Sequence, residues 1–204
     1  PQDFSSTFFP PDCYETSHAW DLRNAANGFA AAGTGSVLWQ CFSAPVGQVM
    51  TLSTPTFTPF GVPKQLNFDV AGAEFTGNAS PDQLFVEAST DGGLTWPITL
   101  ASMTNAIGGA LNPLGTSITG GYVPTTAAEW ATRSFIFSGT VNRIRWRGVS
   151  AFSNNFFADN ITVTDPPSCL EPSAVAISNI ASTSADVSWA CAGCTGTYIV
   201  EYGV

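Results

Sequence analysis

Arg143, Arg145 and Arg147 stand at every second position of Asn142-Arg143-Ile144-Arg145-Trp146-Arg147 and hold half of the six basic residues. On a strand this spacing puts all three on one face. Such a row of guanidiniums can hold a carboxylate or sulfate group, or simply form a solvated surface. Glycoside cleavage needs two carboxylates that converge, and Glu15, Glu74, Glu87, Asp69 and Asp159 are the acids such a pair would draw on. His18 is the only histidine, and neither a G-x-S-x-G elbow nor an H-E-x-x-H helix accompanies it. The chain is therefore read as non-catalytic. Cys191-Ala192-Gly193-Cys194 has the C-x-x-C form used by metals and redox enzymes, but it lies in a Gly-rich turn without a second cysteine pair. A small disulfide stapling that loop is the expectation, with Cys13 bonded to Cys41 and Cys169 left over or joined to a missing segment.

Exposed tryptophans stack on sugar rings, whereas buried ones fill cores. Trp96, Trp146 and Trp189 lie in strand or hairpin contexts and are assigned to the core. Trp20, Trp39 and Trp130 sit among Gly, Ala or Asn in weaker patterns and are the candidates for a surface platform, Trp20 and Trp130 being the two assigned to ligand binding.

The elements that must position these groups are strands. With 44% hydrophobic and only 10% charged residues, the chain can bury a large core and has few of the charges that solvate helices. Leu66, Phe68 and Val70 alternate with Gln65, Asn67 and Asp69, which gives one core face and one wet face. Leu84, Val86 and Ala88 alternate with Phe85, Glu87 and Ser89, and this strand runs into Asp91-Gly92-Gly93, a hairpin turn. Ser134–Ser138 and Asn142–Arg147 are spaced as two strands joined by a short loop, and are expected to pair or lie close. The long Gly- and Pro-containing stretch from Ala101 to Thr126 reads as a loop or excursion.

Phe156–Val163 is a further strand, ended by Asp165-Pro166-Pro167, where proline removes backbone donors. This is the expected boundary between a unit at 1–165 and another at 166–204. Three strands are read in the second unit, at 173–180, 185–189 and 197–202. A sandwich of that kind needs about seven strands, so the chain is expected to continue in a longer parent protein. An opening without methionine or an apolar leader fits a mature exported chain. The net charge of -9 disfavours nucleic acid and anionic membrane surfaces and suits divalent cations better. No apolar run reaches the roughly twenty residues of a membrane span.

At family level, residues 3–163 resemble the MAM-like jelly-roll modules of Bacteroidetes secreted proteins, the choice-of-anchor J or cleaved-adhesin domains found in gingipain adhesin regions. The resemblance is carried by Asp3-Phe4 followed by Phe9-Pro10-Pro11, by Leu52-Ser53-Thr54-Pro55 before Leu66–Val70, by Val86-Glu87-Ala88-Ser89-Thr90-Asp91-Gly92-Gly93-Leu94-Thr95-Trp96, and by Asn155–Ile161. Pro167–Gly203 resembles the opening of a fibronectin type III domain, with Ile177, Ile180, Val187 and Trp189 at core positions. The implied fold is all-β: a jelly-roll β-sandwich followed by a partial immunoglobulin-like sandwich. The first resemblance also implies a structural calcium near an early acid and one in the closing strand, positions matched here by Asp3 and Asp159. Asn160 and backbone carbonyls would complete the shell. Phe4-Ser5 stands where a Phe-Glu pair is common, which removes one carboxylate.

Ser89-x-Asp91-x-Gly93-x-Thr95-Trp96 also fits the Asp-box pattern, a hairpin whose Asp caps the turn with the Trp packed beneath it. A sialidase would repeat that pattern around a propeller, and here it occurs once. Three roles remain: an adhesive or glycan-binding module, a spacer or assembly unit packed against its neighbours, and a non-catalytic accessory of a secreted hydrolase. The compartment implied by all three is extracellular or cell-surface, and the expected partners are a surface glycan, an extracellular protein, or neighbouring domains and subunits of the same assembly.

Overall fold

A computed structural model describes residues 2–6, 8–17, 22–24, 30–78, 80–167 and 173–190. The chain divides into two units, Pro1–Thr164 and Asp165–Val204. The strands of the first are β1 (Glu15–Thr16), β2 (Leu22–Asn24), β3 (Val37–Trp39), β4 (Val49–Ser53), β5 (Lys64–Gly72), β6 (Glu74–Phe75), β7 (Gln83–Ser89), β8 (Ile98–Thr104), β9 (Ser117–Ile118), β10 (Ala131–Phe137), β11 (Arg143–Val149) and β12 (Phe156–Thr164). A 3-10 turn at Ala127–Glu129 precedes β10.

Ten of these strands form two five-stranded antiparallel sheets, ordered β1-β4-β11-β7-β8 and β10-β5-β12-β3-β2. Together they are a jelly-roll β-sandwich, while β6 and β9 form a small parallel pair at its side. The second unit is described as an antiparallel hairpin of β13 (Ser173–Ser178) and β14 (Asp186–Ala190). The third strand read there, and Cys169, Cys191 and Cys194, lie outside the described residues. Ile177, Ile180, Val187 and Trp189, expected in a core, are exposed by 38% or more. Among the described residues of this unit no second sheet covers them.

Alternation produces the core as read. Leu66, Phe68 and Val70 of β5 and Leu84, Val86 and Ala88 of β7 all point between the sheets and are fully buried. From β11 the inward set is Ile144, Trp146 and Gly148. Trp39 departs from the surface role expected of it. It is completely buried, stacks on Phe156 with ring centroids 5.3 Å apart, and donates its indole N–H to the Met50 carbonyl of the opposite sheet. The reason is that Val37, Leu38 and Trp39 are all covered, Leu38 by a smaller cluster with Ala71, Tyr122 and Phe157 on the outer face of the sheet. Period-two contrast disappears in a strand buried on both faces.

Two pairings differ from expectation. β10 pairs with β5, whereas β11 pairs with β4 and β7, so residues 138–142 arch from one sheet to the other instead of closing a hairpin. Cys13 and Cys41 are not joined: Cys13 is exposed in the N-terminal segment, and Cys41 is sealed in the core just after β3. Ala101–Thr126 is only partly loop, since its first four residues complete β8 and two more form β9.

At Gly148 the sheets pack closely: a Cβ there would sit 2.3 Å from Trp39 Cδ1 and 3.2 Å from Phe156 Cζ. Replacing Gly148 by Ala is expected to cost about 1–3 kcal/mol of unfolding free energy through overpacking. Gly120→Ala, where a Cβ meets nothing within 4 Å, serves as the neutral comparison in urea unfolding. In a second measurement, Cys13→Ser leaves the thermal midpoint unchanged, whereas a bond to Cys41 would make it fall.

Candidate ligand-binding faces and cation site

The outer face of the β1-β4-β11-β7-β8 sheet carries the arginine row. Register sets Arg145 opposite Glu87 and Arg147 opposite Phe85. Glu87 accepts from Arg145 Nε at 2.6 Å and from Arg147 through Nε at 3.1 Å and Nη2 at 2.9 Å. Burial alone would raise the Glu87 pKa, but the hydrogen bonds and charges of Arg147 and Arg145 hold it below the ordinary carboxylate range. Each guanidinium also covers a ring: Arg145 lies 4.5 Å from the Trp96 centroid and Arg147 4.2 Å from that of Phe85. Arg143 pairs with exposed Glu15 at 2.7 Å and donates to the Thr54 and Gly92 carbonyls. The structure does bring the three arginines together, and it commits each to a carboxylate of the same chain.

Trp96, expected in the core, is half-exposed as the floor under Arg145. The hairpin before it is built as the Asp-box pattern requires. Asp91 accepts from Ser89 Oγ at 2.6 Å, from Thr95 N–H at 3.0 Å and from Thr95 Oγ1 at 2.6 Å, and these bonds keep its carboxyl well below the ordinary range. Asp91 is thus a turn cap.

Of the five acids considered for catalysis, Glu15 and Glu87 are tied to arginines on one sheet and Glu74 accepts the Ile107 N–H at 2.8 Å, while Asp69 and Asp159 face each other in register on the other sheet, their oxygens accepting from Thr132, Asn160 and Ala32. His18 and Trp20 lie outside the described residues.

The outer face of the β10-β5-β12-β3-β2 sheet is different in kind. Asp159 of β12 is fully buried there beneath residues 31–34. Its oxygens accept the Ala32 N–H at 2.8 Å and the Asn160 N–H at 2.7 Å. Desolvation outweighs these bonds and a further one from Ala31, and with the added charge of Asp3 it raises the Asp159 pKa to about 7. Asp3 reaches this place because Gln2 and Ile161 exchange backbone hydrogen bonds of 2.8 and 2.9 Å. Gly33, at φ +60°, closes the other side, where a Cβ would meet Ser5 Oγ at 1.9 Å and Asp3 Oδ2 at 2.9 Å. Asp3 and Asp159 therefore converge around a glycine that leaves room between chain segments. Asn160, in a left-handed conformation at the β12 bulge, sends its amide N–H to Asp69 Oδ2 at 3.0 Å. Among the described residues no three His, Cys, Asp or Glu side chains gather as one metal-binding group.

Beyond Asp159 the face continues as a polar strip across three strands. Asp69 accepts from Thr132 Oγ1 at 2.5 Å, and Asn67 accepts from Ser134 Oγ at 2.7 Å and from Gln65 at 2.6 Å while donating to Thr164 at 3.1 Å. At its upper end stands Trp130, half-buried and edge-on to Phe157 with centroids 6.5 Å apart. Glu129 fixes the turn before it, accepting from Tyr122 Oη and from the Thr125 and Thr126 N–H groups at 2.8–2.9 Å. A cleft of about 230 Å³ opens there, lined by Ala31, Asp69, Ala127, Trp130 and Thr132. The alternation of β5 placed Asp69 on the wet face, but its partners Thr132 and Asn160 become visible only through strand register.

One end of the sandwich is held by Asp82, a residue with no signal in its sequence context beyond a preceding proline. It is completely buried and accepts from the Ala151 and Asn154 N–H groups, each at 2.7 Å, from that of Ser153 at 3.3 Å, and from Asn105 Nδ2 at 2.8 Å. Burial still leaves its pKa raised.

No family model matches the chain, and no curated protein matches it. Solved structures do. The K3 cleaved adhesin domain of Lys-gingipain from Porphyromonas gingivalis superposes with a TM-score of 0.59 at 16% identity, covering 81% of this chain and 97% of that one. The K1 domain gives 0.56 at 16% identity over 81% and 96%, and the K2 domain 0.56 at 16% over 81% and 97%. At this identity the likeness is one of fold: the chain contains a β-sandwich like that of the gingipain cleaved adhesin domains.

Proposed function

We propose that Pro1–Thr164 is a non-catalytic, extracellular adhesion or ligand-binding module of a large secreted bacterial surface protein, and that the segment from Asp165 opens a fibronectin type III-like domain. The observation that carries the reading is the polar strip on β10, β5 and β12. It is a preorganised row of donors and acceptors on rigid strands, ending at a half-buried tryptophan. The shared fold with adhesin domains supports it. The partner classes are a surface glycan or an extracellular protein.

A spacer or assembly role is the second reading. It is favoured by β8 and β10, which end their sheets and flank a groove of about 650 Å³ beneath residues 108–115, with Leu114 and Ile107 more than half exposed nearby. Edge strands of this kind can pair with another chain.

Calcium belongs to the same proposal. Asp3 and Asp159 would hold the ion, with main-chain oxygens and Ser5, which lies beside Asp3 at Gly33, as neutral ligands in place of Asn160, whose amide is turned to Asp69, and bound calcium would supply charge compensation for two carboxylates that otherwise repel. It would also tie the N-terminal segment to β12.

Binding of the whole chain to an array of glycans and extracellular proteins, with calcium and again with chelator, tests the module. Selective, saturable binding is expected, and silence in both conditions transfers the reading to a spacer. At pH 7.5, calcium at a hundred times its Kd is expected to raise the melting midpoint by roughly 5 °C or more. Asp3→Asn should remove that increment; an equal increment in the variant would place the ion elsewhere. In chelator, the folded chain keeps a proton on Asp159 that the unfolded chain releases near pH 4. Stability is therefore expected to fall as pH rises from about 4 to about 7, by an amount on the order of 4 kcal/mol. Denaturant midpoints that rise across this window would contradict the buried, uncompensated state of Asp159.

A further inference from the structure

We propose that the cleft bounded by Ala31, Asp69, Ala127, Trp130 and Thr132 seats a ring of a neutral, hydroxyl-rich glycan, and that the Asn67 and Ser134 row below it receives the next ring. The inference rests on the reading of the unit as a binding module and names the class of ligand and the place.

The size of the site comes first. At about 230 Å³ the cleft is smaller than the roughly 300–1,000 Å³ of pockets that enclose a drug-sized molecule. It suits one ring at a time along an open surface. The Trp130 side chain is held against Phe157 at an interplanar angle of 71°, and its backbone N–H bonds back to Ala127. This wall is fixed before any ligand arrives and offers an apolar face to the C–H side of a sugar.

The polar wall determines the hydroxyl chemistry. Asp69 already receives one donor on each oxygen, Thr132 on Oδ1 and Asn160 on Oδ2. A carboxylate oxygen has a second lone pair in each case, so Asp69 can accept from a ligand hydroxyl without giving up either bond. Two residues along the strands, about 7 Å away, Asn67 Oδ1 is filled by Ser134 and Gln65, and the second N–H of the Asn67 amide together with the Ser134 oxygen is left to bond a ligand hydroxyl. The third row pairs Gln65 with Ile136, which is 43% exposed and offers another apolar contact.

Charge then excludes other occupants. The strip contributes Asp69 and no arginine or lysine from these rows, and buried Asp159 stands directly across from Asp69. An anionic polysaccharide would meet repulsion with no counter-charge. A large apolar protein surface would strip water from a row of amides and hydroxyls without replacing their bonds.

The test is affinity electrophoresis of the whole chain through gels containing soluble xylan, mannan, galactan or mixed-linkage glucan, with heparin as the anionic comparison. Retardation by at least one neutral polysaccharide is expected. Asp69→Asn and Trp130→Ala should each weaken it at least tenfold, and exposed Leu94→Ala should leave it unchanged. Trp130 supports Phe157, so thermal melts accompany each variant. Thr132→Val, on an exposed position of an edge strand, keeps the test decisive if Trp130→Ala unfolds, and it too should weaken retardation. Retardation that survives Asp69→Asn and Thr132→Val overturns the cleft while leaving the binding-module reading intact. Retention by heparin alone overturns the neutral class, and no retardation in any neutral gel overturns the proposal. A parallel protein array separates that last outcome from failure of the module reading itself.

Discussion

The sandwich depends on one close approach. Trp39 crosses the interior from one sheet, lies against Phe156, and reaches the backbone of the other sheet at Met50 and Gly148. Any side chain at Gly148 would occupy the volume of the indole, so the largest side chain of one sheet is matched to the absence of one on the other. Packing at crystal-like density leaves little slack for such a pair. Phe156, stacked on Trp39, opens β12, and β12 carries Asp159 and Asn160.

The two outer faces take opposite chemical characters from this common core. On one, charges meet across strands and cancel: Glu87 lies between Arg145 and Arg147, whose guanidiniums are flattened on Trp96 and Phe85. Truncating Glu87 would leave two cations facing each other, so this ladder braces its sheet. On the other face, neutral amides and hydroxyls share their bonds around Asp69 and Asn67, and the sheet stays wettable. Asp82 holds the connection between β11 and β12 from the opposite side of the chain's sequence, and through Asn105 and Asn154 it links the ends of β7, β8 and β12.

Much of the fold was legible because alternation is a local property. The inward faces of β5, β7 and β11 follow from Leu66-x-Phe68-x-Val70, Leu84-x-Val86-x-Ala88 and Ile144-x-Trp146. The Asp91 turn is local as well, with its capping bonds spanning four residues. What could not be read was partnership. Residues 138–142 have the length of a hairpin loop, and only the global arrangement decides that they arch between sheets. Val37-Leu38-Trp39 shows no alternation because loop residues cover its second face, which concealed Trp39 in the core. The arginine row was visible as a face, but Glu87 enters it through register with a strand more than fifty residues away. The same holds for the polar strip: Asp69, Asn160 and Trp130 stood out singly, each for a different role, and Asp69, Thr132 and Asn160 meet only when three strands align.

β12 has a mechanical meaning. It is bonded to β5 on both sides of a bulge and to β3 at Phe156–Ala158, lies in the middle of its sheet, and is followed at once by the second unit at Asp165. Gln2 bridges antiparallel to Ile161 near the end of β12, so the chain segments at Gln2 and Thr164 leave the sandwich side by side. A pull between them would open this bridge first, drawing Asp3 from Asp159, before the ladder of β12 carried any load.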